Sequence, residues 1–376
     1  MLTELVIAFA LGAAPAGDVE KLGKVVASDL AAGRDGLTPV LSLKELIDRT
    51  FEGIEAPPDF RRGFEKGAGN SINKIGESLS RAAQSGARIT FRKVVTLDSE
   101  SAAQLRLLFP DGTFNILELM VKSDADGRLK VVDFYDLVAG ELKSQEMRRF
   151  ALTFLAEQNL SILDRVMGKD EIFIKNVPQL KAYLATAREG RYAEVVQMYK
   201  SLPKEVQQQR TILRIYAVSA GKVDDNEYER ALGSYLALYP DASSHMMAID
   251  YFFLKKEWAK LDRSLDIVEK RVGADDAWFE VLRGDFEIVR GNSVEAKNHF
   301  MLAIDREKTL RDPYFMLLGI SLREKNFADT AKWLTALERD AGIPLKDVST
   351  LPAYSEFAAS KEGKAYIEMQ RSAKKH

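Results

Sequence analysis

The residues able to do chemistry are few and scattered. The chain has no cysteine and only three histidines, His245, His299 and His376. Without thiols there are no disulfides, thiolate metal sites, iron–sulfur clusters or cysteine nucleophile. Isolated imidazoles make no histidine metal cluster, and no imidazole base precedes His245. Carboxylates remain. In "VVDFYD" a strand would place Asp133 and Tyr135 on one face and Val132, Phe134 and Asp136 on the other. With a cation such as Arg92, that pair could line a polar pocket. An outward face paired with arginine explains the same letters.

Two further stretches look chemical and fail on spacing. "DADG", Asp124 to Gly127, starts like a calcium loop but lacks the third acid and the distal glutamate, so a hairpin turn with Gly127 in the left-handed region is expected. "EKGAGNSINK" offers Gly67, Gly69 and Lys74, but no strand precedes it and lysine does not follow a glycine, so it is no phosphate loop. Glycines there are expected to permit close packing or a bend. The expectation is therefore no metal, no cofactor and no catalytic residue.

Bulk properties narrow the partners. Lysine and arginine total 54 against 56 acids, a net charge of −2, so no global field draws in nucleic acid. With 376 residues, 46% hydrophobic and 29% charged, the chain is globular and long enough for two or three domains. The apolar run Leu5 to Ala14 is too short to cross a bilayer and ends in Ala14-Pro15-Ala16, a small-x-small pattern. It predicts a signal peptide over residues 1–16 and a periplasmic or secreted protein. Glu4 stands where a lysine or arginine is usual, which keeps a short buried helix in a cytoplasmic protein as the alternative.

The elements that must position these residues fall into two halves. After a weakly patterned, glycine-rich stretch, Ser42-x-x-Glu45 is a capping box ahead of Leu43, Leu46, Ile47 and Phe51. Beyond Pro57-Pro58, Phe60, Phe64, Ala68, Ile72, Ile75, Leu79 and Ala82 recur at helical spacing, predicting one long helix to about Gly86. The period then drops to two in "ARITFRKVVTL", "AAQLRLLF", "FNILELMV" and "LKVVDFYDL", separated by turn-rich links. These four segments predict an antiparallel meander, with the long helix as cover for its apolar face. Over about residues 40–143 this element order resembles the cystatin-like and ketosteroid-isomerase-like α+β folds, which host enzymes, ligand binders and association modules alike.

Beyond Gly140 everything reads as helix. Met147, Phe150, Phe154 and Leu155 mark one connecting helix, Ile162, Leu163 and Val166 continue it or start a second, and "KDEIFIKNVPQ" breaks the pattern before Pro178. Then a repeat emerges. The triples Tyr192/Val195/Tyr199, Tyr228/Ala231/Tyr235, Trp258/Leu261/Leu265, Ser293/Ala296/Phe300 and Phe327/Thr330/Leu334 start 36, 30, 35 and 34 residues apart. Each opens a second helix, preceded by first helices at Pro178–Glu189, Thr211–Gly221, Ser244–Lys255, Ala277–Arg290 and Asp312–Lys325. Gly284, Gly291, Ala296, Phe300 and Ala303 carry the pattern best. Spacing and form resemble the tetratricopeptide repeat over about residues 178–341.

The expected layout is a signal peptide (1–16), an α+β domain (40–143), connecting helices (144–177), an all-α solenoid of about five hairpins (178–341), and a closing helix with a basic tail (342–376). The resemblance implies a concave wall of first helices that holds a protein or peptide segment. On that wall Arg214, Met246, Asp250, Asp285, Phe315 and Arg323 are expected. Asp250 and Asp285 suit a basic or amide-rich segment, unless both are merely solvated. Relatives that grip a terminal carboxylate use lysine, arginine and asparagine there, and aspartates argue against that mode. A non-catalytic scaffold or adaptor follows, with the α+β domain associating with itself as a homodimer or with a second partner. The alternative is a small-ligand binder or enzyme using Arg92, Asp133 and Tyr135.

Overall fold

A computed structural model describes residues 14–110, 112–158, 175–345 and 347–373. Most of the expected signal peptide, Asp111 of one expected turn, Ile162, Leu163, Val166 and His376 lie outside the described residues. The chain divides into two compact units, Met1–Tyr251 and Phe252–His376.

The first unit opens with helix α1 (Ala16–Ala31), in the stretch that patterning left unassigned. Its buried residues Val19, Gly23, Val26, Ala27 and Leu30 form one face that packs on the sheet. Burying such valines and leucines stabilises the fold by about 1.5–3 kcal/mol each. Helix α2 (Leu43–Thr50) starts on the expected cap: Ser42 Oγ accepts from Glu45 N at 3.3 Å. Helix α3 (Pro58–Gln84) is a single element, as its stripe predicts.

Strands β1 (Arg88–Leu97), β2 (Glu100–Leu108), β3 (Phe114–Ser123), β4 (Leu129–Asp136) and the short β5 (Glu141–Leu142) form one antiparallel sheet in chain order. Four were expected; the two-residue β5 was too short to show a period. Asp98 and Ser99 both have positive φ, which matches the twist of the tight β1–β2 hairpin. The sheet's principal cover departs from expectation. Val19, Val26 and Leu30 of α1 are fully buried on it, whereas Ile75 and Leu79 of α3 are only partly buried. The α3 stripe therefore stays partly open, at Phe60, Phe64 and Ala68 as at Ile75 and Leu79.

Helix α4 (Lys143–Gln158) leads to paired helices: α5 (Val177–Arg188) with α6 (Tyr192–Ser201), then, after the four-residue α7 (Lys204–Gln207), α8 (Arg210–Ala220) with α9 (Asp225–Leu238). The unit boundary falls inside α10 (Ala242–Leu254). The second unit continues with α11 (Trp258–Val272), α12 (Ala277–Arg290), α13 (Ser293–Arg306), α14 (Asp312–Arg323) and α15 (Phe327–Arg339), and closes with α16 (Ser355–Ala359) and α17 (Lys361–Ala373). The fold is thus an α+β domain followed by an all-α solenoid of helical hairpins.

The repeat's internal logic holds at residue level. Val195, Ala231, Leu261, Ala296 and Thr330 are each 0% exposed, Tyr235, Leu265, Phe300 and Leu334 at most 1%, and Tyr199 9%. Gly284 shows why a small residue recurs: a Cβ there would overlap the Phe300 ring, 2.7 Å from Cδ1. Only glycine lets α12 and α13 approach so closely. Four second helices begin at the expected residue; α9 begins three earlier because Asp224 caps it, accepting from Glu227 N at 2.8 Å. The expected closing helix is pinned by Glu338 of α15, which accepts from Gln370 Nε2 at 2.9 Å and from the Tyr366 hydroxyl at 3.3 Å.

Candidate functional site

The pocket expected in the α+β domain does not assemble from its three residues. Register shifts at Arg92 and Val132 mark bulges in β1 and β4, so the alternation read along each strand changes phase there. Asp133 and Tyr135 do share a face, opposite Met120 and Glu118 respectively. Arg92 lies on β1, with β2 and β3 between it and β4, about 14 Å away at ordinary strand spacing.

Asp133 instead has a structural part to play. It is 0% exposed, and its Oδ1 accepts from Phe134 N at 2.8 Å and from Ser144 N at 3.1 Å in the first turn of α4. A carboxylate on a helix N-terminus satisfies open N–H groups and ties β4 to α4. Loss of hydration raises its pKa, opposed by those hydrogen bonds and by Arg49. The same sheet face carries polar residues that periodicity missed. Gln104 donates to Glu118 at 3.1 Å, and both are buried, as is Arg106. Their run of apolar neighbours, "AAQLRLLF", hid them as ordinary alternation.

The first-helix wall of the first unit holds Arg214 on α8 and Met246 and Asp250 on α10. Part of this wall is already used by the chain itself. Gly140, at φ +73°, brings the β4–β5 turn so close that a Cβ would overlap Ser243 Oγ and lie 2.7 Å from the Arg210 guanidinium carbon. Thr211 donates to Glu141 at 3.4 Å, and Arg149 of α4 pairs with Glu141 at 2.5 Å. Arg210 is itself fixed by both oxygens of Asp241 at 2.6 Å and by the Tyr235 hydroxyl at 3.2 Å.

Beside that seat is a cleft of about 410 Å³ between α4, α5 and α8, lined by Phe150, Leu184, Arg188, Arg214, Ile215 and Val218 among others. The Nε of Arg214 is buried there without a hydrogen-bond partner. Asp250, farther along the wall, is exposed, yet enough protein surrounds it that loss of hydration raises its pKa. Arg188 was not foreseen. It precedes Tyr192 by four residues as Arg323 precedes Phe327, a repeat position visible in the letters.

In the second unit the wall is uncovered. Asp312, Phe315, Gly319 and Arg323 form one exposed face of α14, and Phe315 is 47% exposed. On α12, Val289 is exposed, and Asp285 is half-buried with Oδ1 unpartnered. Burial, and secondarily the nearby Asp312, push the Asp285 carboxyl up to about 6. The opposite flank of α12 is committed to structure. Arg283 pairs with Asp266 and Glu269 at 2.9 and 2.8 Å, and Arg290 pairs with Asp262 at 2.8 Å while lying over the Trp258 ring. His299 contacts buried Glu280 at 2.7 Å, and Arg306 pairs with the same carboxylate.

The remaining motifs take their plainer reading. Asp124 Oδ1 accepts from Asp126 N and Arg128 N, and Gly127 has φ +76°, a hairpin turn. Gly69 packs against Leu43, but a Cβ on Gly67 would meet nothing within 4 Å. Among the described residues no group of three or more histidine and carboxylate side chains could hold a metal ion. No helix among them is long and apolar enough to cross a membrane. No protein-family model matches the chain, and no curated protein matches it in sequence.

Proposed function

We propose that the chain is a non-catalytic scaffold or adaptor whose tetratricopeptide-like helical hairpins hold a segment of another protein on the first-helix wall. The observation that carries this is the open face of α14. Phe315 supplies an apolar anchor, Asp312 and Arg323 flank it at helical spacing, and Asp285 and Val289 of α12 add to the wall. An exposed aromatic flanked by both charge signs suits an extended or helical segment with alternating apolar and charged residues. Export is part of the same reading: cleavage after Ala16 would remove the buried Ala14 and the first residue of α1 and keep the helix from Gly17 onward. Amino-terminal sequencing of the mature chain tests that address.

The binding test is site-directed photo-crosslinking from position 315, compared with position 294, where Val294 is exposed on the second helix α13. A single partner segment crosslinked from 315 and not from 294, and lost in Arg323→Glu, is the expected result. Equal crosslinking from both positions would remove the wall from consideration.

A further inference from the structure

The first unit contains a second cleft, of about 830 Å³, between α3 and α4. Its walls are Phe60, Phe64 and Ile72 of α3 and Met147, Phe150 and Phe154 of α4. Glu146, Phe150 and Arg188 also line the 410 Å³ cleft described above, so the two meet at those side chains. Both volumes lie in the range of small-molecule sites, roughly 300–1,000 Å³. The floor is kept open by glycine: a Cβ on Gly63 or Gly67 would meet no atom within 4 Å. Neither glycine is needed for packing. Each costs the helix up to about 1 kcal/mol relative to a good helix former.

Charge at the junction is unbalanced. Of the acids lining the two clefts, Asp59 is taken by Arg62, Glu141 by Arg149 at 2.5 Å and Glu146 by Lys143 at 2.8 Å. Arg188 and Arg214 are left. Arg188 lies over the Phe150 ring at 5.6 Å, and neither arginine has a carboxylate partner among the described residues. Two guanidiniums on the smaller cleft, one of them shared with the larger, call for one ligand chemistry: an anionic head on a hydrocarbon chain. We infer that the first unit binds an amphiphilic anion, its carboxylate or phosphate head between Arg188 and Arg214 and its chain along the α3–α4 cleft. This goes beyond the adaptor function and is independent of it, since Phe315 and Arg323 lie in the other unit.

The test is calorimetric titration of the full chain with dodecanoate and dodecyl phosphate, each below its micellar concentration, alongside dodecanol and acetate. Saturable binding of one or both anions is expected, the tighter one naming the head, with little for dodecanol or acetate. Each methylene added to the chain should tighten binding about two- to four-fold. Arg188→Gln and Arg214→Gln should each weaken binding at least ten-fold, and Arg188→Lys should restore much of the loss. Gly67→Leu should block the cleft while raising the melting temperature, which separates a filled site from a damaged fold. Absence of saturable binding by both anions, equal binding of dodecanol, or full binding by Gly67→Leu overturns the proposal. So does an acidic peptide that binds through Arg188 where dodecanoate does not, which would return these clefts to protein recognition. Loss of anion binding with crosslinking from position 315 intact would leave the adaptor function standing.

Discussion

The same first-helix wall is used in opposite ways in the two units. In the first, the β4–β5 turn sits against it, with Gly140 on Arg210 and Ser243 and with Glu141 taking Thr211 and Arg149. In the second, the equivalent face of α14 offers Asp312, Phe315, Gly319 and Arg323 to solvent. Hairpin stacking creates a wall in both places, but what the wall does depends on whether the chain already occupies it. A repeat pattern therefore predicts a surface and not its availability.

The most damaging way to probe this contrast is Gly284→Leu, which drives a side chain into Phe300. Overpacking of this kind costs about 3 kcal/mol or more, so the second unit's thermal transition should vanish or fall by more than 10 °C, while that of the first persists. Gly140→Ala attacks the occupied wall. It combines a positive φ with overlap on Ser243 and Arg210, and a loss of about 2 kcal/mol confined to the first unit is expected in denaturant unfolding. Unchanged stability would mean that the turn is not seated there.

Asp285 provides a pH-dependent comparison within the open wall. Its carboxyl ionises at 3.8 in a free chain and at about 6 when folded, so between those values the folded state keeps a proton that the unfolded chain has released. Stability contributed by this group therefore falls as pH rises from about 4 to 6 and stays lower above that window. Asp285→Asn should remove the fall, gaining about 1–2 kcal/mol at pH 7.5 and almost nothing at pH 4. Equal gains at both values would mean that the change acts through packing. Smallest of all, Phe315→Ser should leave the melting temperature within about 2 °C of the parent, because an exposed side chain contributes little to the core. A larger drop would mean that the wall is covered in solution.

Much of this architecture is legible in the letters. The triples beginning at Tyr192, Tyr228, Trp258, Ser293 and Phe327 locate the hairpins because the interface between paired helices demands small and large residues at set distances. Helix α1 escaped because Gly17 and Gly23 within it, and Gly33 just beyond it, disguise a stripe whose Val19, Val26 and Leu30 lie seven and four residues apart. The bulges at Arg92 and Val132 escaped for another reason. An extra residue in one strand is accommodated through the twist and pairing of the sheet, to which the strand's own pattern is blind.

The candidate sites divide along the same line. Phe315 and Arg323 could be placed on an exposed helix face by counting, since the period of a helix is a local property. That Asp133 anchors the start of α4, that Glu141 neutralises Arg149, and that Arg188 and Arg214 are left without acids could not be counted. Which charges pair, and which cleft remains open, depend on residues far apart in the chain meeting across packed helices. Periodicity along the backbone settles which side chains share a face, but only the packing of one element on another determines what that face meets.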